Sequence, residues 1–395
     1  MNIENLSALA DQHIKDSAGA LKDFRNAELS LFKKNGFNSP ILDGYKFTNL
    51  ETFFGSLTDS ALSFQNGELT TLELNIPGVK VKKLKDHFEE VKNLFKEENA
   101  LSHLHHALLN DGIILEVAKN AEVKTPIRIV HSMNKAGLSA PTVVVLAHHF
   151  SKVTLIEETL GGGSYANVNE TYILAHDGAN VEHIQMDQGS EEGITHSSVF
   201  AELAKDATVR SLIFNASGKL NRKNLQMNLN AAGAHAESYA LYLTNGSEHS
   251  DISTVINHKA ADTTSDQMAK GILDGDSKGI FTGKIHIHPK AQRVASGQLN
   301  KNLLLSKKAQ AHSQPQLEIF ADDVKCSHGS TTGQLSDDEV FYLEARGIPA
   351  DRARTILAHG FGLEIVLKIQ NEEARNFISP LILKRLESKF ALGRM

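Results

Sequence analysis

The chain of 395 residues contains one cysteine and no tryptophan. A single thiol excludes an intrachain disulfide, so the fold is not stapled in the manner of small secreted domains. Basic residues are not in excess: 41 Lys and Arg stand against 47 Asp and Glu, for a formal charge of −6. A nucleic-acid surface would ordinarily show the opposite balance. Apolar runs are short, and none approaches the ~18 residues of a membrane helix. The opening MNIENLSALADQHIKD is charged and amphipathic, without the apolar stretch of a secretory signal. These absences predict a soluble, cytoplasmic chain in a reducing compartment, with no nucleic-acid or membrane partner. Hydrophobic residues make up 41%, enough to bury a sizeable core. The length predicts about two or three domains, or one elongated one.

Residues 1–100 read as mostly helical. Ile3, Leu6, Leu9, Ala10 and Ile14 recur at three- and four-residue spacing, and Leu21, Phe24, Leu31 and Phe32 continue the stripe. Asn38-Ser39-Pro40 interrupts it. The element Tyr45-Lys46-Phe47-Thr48-Asn49-Leu50 reads as an aromatic anchor on the core. Residues 80–98 mix acids with bases in an amphipathic pattern, which predicts a surface helix.

From about Leu108 the apolar period changes from 3.6 to 2. GIILEV, PIRIVH, KVTLIEE, NVEHIQM, TVRSLIF and ESYALYL are short β-type runs. Similar corners recur between them: Asn120-Ala121, Gly178-Ala179, Asp206-Ala207 and Gly233-Ala234, with Lys290-Ala291 and Lys308-Ala309 as looser copies. Ala179, Ala207 and Ala234 are 28 and 27 residues apart (207 − 179 and 234 − 207). No long helical pattern breaks residues 108–330, which argues against strand–helix–strand crossovers within the β-helix core expected at 101–333. A sandwich and a solenoid remain. The regular corners favour the solenoid, in which each coil buries its inward side chains against its neighbours.

The stretch from Gln314 to Phe361 joins this β region to a helical tail at residues 334–395. Cys326 and His328 are two apart, so on an extended strand they share a face. Ser336-Asp337-Asp338-Glu339 has the form of a capping box. Gly347 and Pro349 predict the end of that helix near Arg346. Asp351–His359 and Glu372–Phe390 form two further helical patterns, separated by Gly360 and Gly362; Pro380 is expected to kink or divide the last.

In this stretch the runs DVKCSHGSTTGQL, DDEVFYLEARGIP and ILAHGF resemble the C-terminal core of the SufB/SufD family, the scaffold proteins of SUF iron–sulfur cluster assembly. The resemblance covers about Ala107 to Phe361 well and the ends loosely. The short length and single cysteine resemble the SufD branch. It implies a mainly β fold, a right-handed parallel β-helix flanked by N-terminal and C-terminal helical regions. It implies a non-enzymatic scaffold that pairs with a SufB-type subunit, or with itself when isolated, and that docks a SufC-type ABC ATPase. His328 and Cys326 match the family's cluster-assembly interface. Clusters typically take four protein ligands; this motif offers two, so a transient iron–sulfur cluster would need ligands from the partner. Glu339, Tyr342 and Arg346 fall in the stretch that the resemblance assigns to ATPase docking.

Other motifs carry less. Gly161-Gly162-Gly163 precedes a β-type run and offers phosphate no helix N-terminus. Gly279 to Lys284 misses the P-loop spacing, and Ile285 stands where a Ser or Thr would hold magnesium. His286 and His288 share a strand face and can chelate a metal, but lack a third ligand nearby in sequence. The His103, His105, His106 and His148, His149 groups match no known chemistry of the family. A polysaccharide-active β-helix enzyme is an alternative reading, although Asp322-Asp323 and Asp337-Asp338 sit beside turns and caps. So is a flavin-dependent reductase component, for which no dinucleotide fingerprint is present.

Overall fold

The computed structural model describes residues 3–15, 17–36, 68–71, 76–95, 100–109, 112–133 and 137–390. The Tyr45–Leu50 element lies outside them. The central region is a parallel β-helix of about eight coils. Each coil contributes one strand to each of two sheets, and every coil strand pairs in parallel with those of adjacent coils. Thr208–Asn215, for instance, lies between Asn180–Gln188 and His235–Thr244.

One corner explains the sequence repeat. Asn120, Phe150, Gly178, Asp206, Gly233, Asp262 and Arg293 all adopt positive φ there, between 56° and 77°. Gly, Asn and Asp accept this left-handed conformation most readily. Stacked corners bond to each other: Gly178 N–H donates to the Lys205 carbonyl at 2.9 Å. The alanine after the corner faces inward, and Ala179, Ala207 and Ala234 are buried. Ala309 belongs elsewhere, at the opposite corner between strands Val294–Leu304 and Gln310–Ile319.

The interior is apolar in the early coils, built from residues such as Val153, Val181, Val209, Leu203 and Leu229. A polar column runs beside it. Successive register partners are Leu155, His183, Ser211, Ser238, Gln267, Gln298 and His328.

The two ends of the β-helix differ. At the N-terminal end, Glu68–Thr71 and Val79–Lys83 add antiparallel to the first strand of each sheet. Here the structure corrects the helix expected at 80–98. Val79–Lys83 is a strand, followed by the short helical turns Leu84–Asp86, Phe88–Val91 (α3) and Lys92–Leu94. Pairing with the exposed edge outweighs the local amphipathic pattern, while Leu84, Phe88 and Val91 are buried. At the C-terminal end, Gln310–Ile319 and Val324–Gln334 are the last strands of their sheets, with no strand beyond either among the described residues.

Helices α1 (Ile3–Lys15), α2 (Gly19–Asn35) and α4 (Ala100–Leu108) cover the outer face of one sheet through Ala166 and Val168. A buried ionic cluster joins them to it. The His106 ring contacts Glu28 Oε2 at 3.1 Å and Glu170 Oε2 at 2.9 Å, and His103 Nδ1 lies 2.7 Å from Glu28. Burial disfavours the His106 charge, but the attraction of Glu170 and bonds to both carboxylates outweigh it, raising its pKa to about 9. Burial also opposes the Glu170 charge, yet His105 and His106 bring its pKa down to about 2. The His103-His105-His106 run is thus a structural clasp.

At the other end α5 (Asp337–Glu344), α6 (Ala350–Val366) and α7 (Glu372–Lys389) follow the last strand. Ala358, Ile365, Ile378, Ile382 and Leu386 of the latter two pack on Ile184, Met186, Leu212, Phe214 and Leu241 of the second sheet. Two expectations change. Helix α6 does not stop at His359 but continues through Gly360 and Gly362. Gly362 is buried within the helix, where a Cβ would stand 3.4 Å from Leu241, an ordinary contact. Helix α7 is not divided by Pro380. Ile378 and Ile382, buried on either side, hold it against the sheet.

Candidate functional site

The open end is built by two strands and the corner between them. Val324 and Cys326 face inward from the last strand and pack on Ile285, Ile287, Ala291, Val294 and Ala321. Alternation puts His328 and Ser330 on the same inward column. Ser330 Oγ donates to Ser313 Oγ on the other edge strand at 2.8 Å, bridging the two sheets across the mouth. Gln298 is buried one coil further in, whereas His328 is exposed because no coil follows.

The structure therefore sets Cys326 and His328 on a shared face but in different surroundings. Burial pushes the Cys326 thiol above its ordinary range, partly offset by a backbone hydrogen bond from Ser296. His328 is the accessible donor. Among the described residues, no three His, Cys, Asp or Glu side chains are grouped to hold a metal ion. Pattern reading passed over Gln298, Ser313 and Ser330, whose polar types at alternate strand positions were the available signal.

Edge chemistry at this end is mixed. Pro315 sits on the strand Gln310–Ile319 and lacks a backbone N–H, which suits an edge strand. Ile319 and Phe320 are exposed beside it. Exposed edges of this kind favour pairing with another chain.

Glu339, Tyr342 and Arg346 are all exposed on or just after α5. The Arg346 guanidinium stacks 3.5 Å from the Tyr342 ring centre and donates to the Tyr342 carbonyl at 3.0 Å. Glu339 shares their helix face. Only Val340 of this helix is buried; Phe341 is 68% exposed, and Tyr342 beside it and Ile356 on α6 are also exposed apolar side chains. Ser336 occupies the N-cap position, but its side chain makes no capping bond. The capping box is present in sequence and unused. Gly347 takes φ 80°, as the helix end requires.

The other expected turns and histidines are placed as follows. Gly161–Gly163 links consecutive strands, and Gly279–Lys284 lies within a strand. His148 and His176 stack at one corner with ring centres 5.3 Å apart. No helix among the described residues is long and apolar enough to cross a membrane.

A parallel β-helix, blocked by antiparallel strands at one end and open at the other, is the class of protein these features define. Residues 129–361 match the SufBD core domain of SUF-system iron–sulfur cluster assembly. An iron-sulfur cluster assembly SufBD family protein of Synechocystis is 32% identical over 282 residues, covering 68% of this chain and 62% of that protein. SufD of Escherichia coli is 28% identical over 72% of this chain and 69% of its own length. SufD of Bacillus subtilis is 26% identical over 74% and 68%. The chain belongs to the SufBD family of iron–sulfur cluster assembly proteins.

Proposed function

We propose that this chain is a non-enzymatic scaffold subunit, paired through its open end with a SufB-type scaffold. The iron–sulfur cluster is its cargo, built transiently where the two chains meet. His328 acts there as ligand or proton carrier and Cys326 as a reserve thiolate, with the remaining ligands from the partner. A SufC-type ATPase docks on the exposed apolar side chains of α5 and α6 near Glu339, Tyr342 and Arg346, within a C-terminal helical domain of residues 334–395. The β-helix core, residues 101–333, carries the shared site. The complex works in the cytoplasm.

One observation supports this reading most: two strands that end their sheets among the described residues lie at the same end as an exposed imidazole. Edge strands accept a neighbouring strand through main-chain hydrogen bonds. A cluster needs ~four ligands, and this chain brings two.

The test is anaerobic reconstitution with iron and sulfide, followed by desalting, of the chain alone and of the chain co-expressed with both partners. Cluster should be retained by the complex and not by the monomer. A stoichiometric cluster on the isolated monomer would overturn the shared site. Retention by an isolated homodimer would mean that the open end pairs with itself, joining two copies of Cys326 and His328.

A further inference from the structure

His286 and His288 lie on the outer face of the β-helix near its open end, away from the inward column of Cys326 and His328. Their rings stack with centres 4.4 Å apart and an interplanar angle of 7°. Both are partly exposed. The next coil supplies what the local sequence lacked. Glu318, the register partner of His286, brings its carboxylate within 3.7 Å of His286 Nδ1. Lys284 holds that carboxylate at 2.7 Å. Phe320 stands 5.5 Å from the His286 ring and walls one side.

We propose that His286 and His288 form a labile two-imidazole site for a first-row divalent transition ion, oriented by Glu318. Metal–imidazole bonds of about 2.0–2.1 Å place two adjacent donor nitrogens about 3 Å apart. From the parallel stack at 4.4 Å, rotation of each partly exposed ring about its side-chain torsions turns the donor nitrogens toward a shared ion. At 3.7 Å the Glu318 carboxylate is beyond hydrogen-bond reach of Nδ1 and acts through its charge, which favours an N–H on that nitrogen and leaves Nε2 to bind metal. The strand backbone fixes both Cβ positions: His288 N–H donates to the His258 carbonyl at 3.0 Å. Imidazole pairs suit zinc, copper, nickel and iron. Water, or a ligand from another molecule, fills the remaining positions, so the ion exchanges readily. The site does not depend on the scaffold role proposed above.

The experiment is calorimetric titration of the chelator-treated full chain with Zn²⁺. The expected result is one ion per chain, bound at least ten-fold more weakly by His286→Ala and by His288→Ala. Glu318→Gln should weaken binding roughly ten-fold, as loss of an orienting carboxylate does. These side chains are on the surface, and circular dichroism should show each variant folded. The paired variants His148→Ala/His176→Ala and Cys326→Ser/His328→Ala should bind as the parent does. The proposal is overturned if the parent takes up no Zn²⁺, if the double variant His286→Ala/His288→Ala binds undiminished, or if either control pair removes the site instead.

Discussion

His328 is the register partner of Gln298, and Gln298 donates a hydrogen bond to Gln267 one coil further in. Gln267 in turn reaches Thr254 across the interior. The exposed imidazole is therefore the last rung of a polar column that is otherwise buried. A side chain at the mouth is held by its strand yet contributes little to the packed core. The neighbouring Cys326 sits one step deeper, against apolar residues.

That difference separates the two residues experimentally. His328→Ala should leave thermal unfolding nearly unchanged, within about 0.5 kcal/mol as for a surface substitution, while abolishing cluster formation by the complete complex. Cys326 should react slowly with iodoacetamide at pH 7, because only the thiolate is nucleophilic. Its folded pKa is raised, so the neutral thiol contributes stability below the unfolded value and loses it as pH rises through the folded value. Alkylation should accelerate steadily above pH 9. Fast alkylation at pH 7 would mean that the thiol is activated instead of buried.

The clasp between the N-terminal helices and the β-helix should depend on pH in both directions. The pKa of Glu170 is depressed to about 2, so its contribution is present above its ordinary 4.5 and lost as pH falls toward 2. That of His106 is raised to about 9, so its contribution is full below 6.5 and lost as pH rises toward 9. Protection factors of α1, α2 and α4, measured relative to intrinsic exchange at each pH, should be highest between these limits and lower at pH 3 and pH 9. Glu170→Gln strips a buried partner from His106 and should cost ~3–5 kcal/mol. Equal protection factors at all three pH values would show that apolar packing alone holds the helices.

Ser336→Ala should be nearly silent. A working N-cap is worth ~0.5–2 kcal/mol, but the Ser336 hydroxyl makes no such bond. Thermal melts of parent and variant should differ by less than the lower bound. A larger shift would restore the capping role suggested by the sequence.

The exposed apolar side chains on α5 give the opposite forecast. Phe341→Ser removes a side chain that is 68% exposed and should stabilise or leave unchanged the isolated chain. It should weaken capture of the ATPase partner at least ten-fold, about 1.4 kcal/mol or more. Tyr342→Ala removes the platform under Arg346 and should act in the same direction. Unchanged capture in both variants would place docking on another face.

The sequence by itself determined the β-helix and its corners. A strand reveals itself within a few residues through its period of two. A corner that recurs once per coil needs a left-handed residue followed by a small buried one, as in Asp206-Ala207 and Gly233-Ala234. The C-terminal motif likewise carried the family and the Cys326, His328 pair. Only the tertiary structure decided the partners. His103 meets Glu28 across 75 positions, and His106 meets Glu170 across 64, so neither pair has a local signature. Val79–Lys83 became a strand because an unpaired sheet edge lay beside it. Gly362, read as a break, is buried within a helix. Cys326 and His328 share a face of the same last strand, but Cys326 is half-buried against Ile287, Val294 and Ala321 from preceding segments, whereas His328 is exposed. Local periodicity follows from backbone sterics and is written into neighbouring residues, whereas burial and charge pairing depend on chain segments that meet only once the coils have stacked.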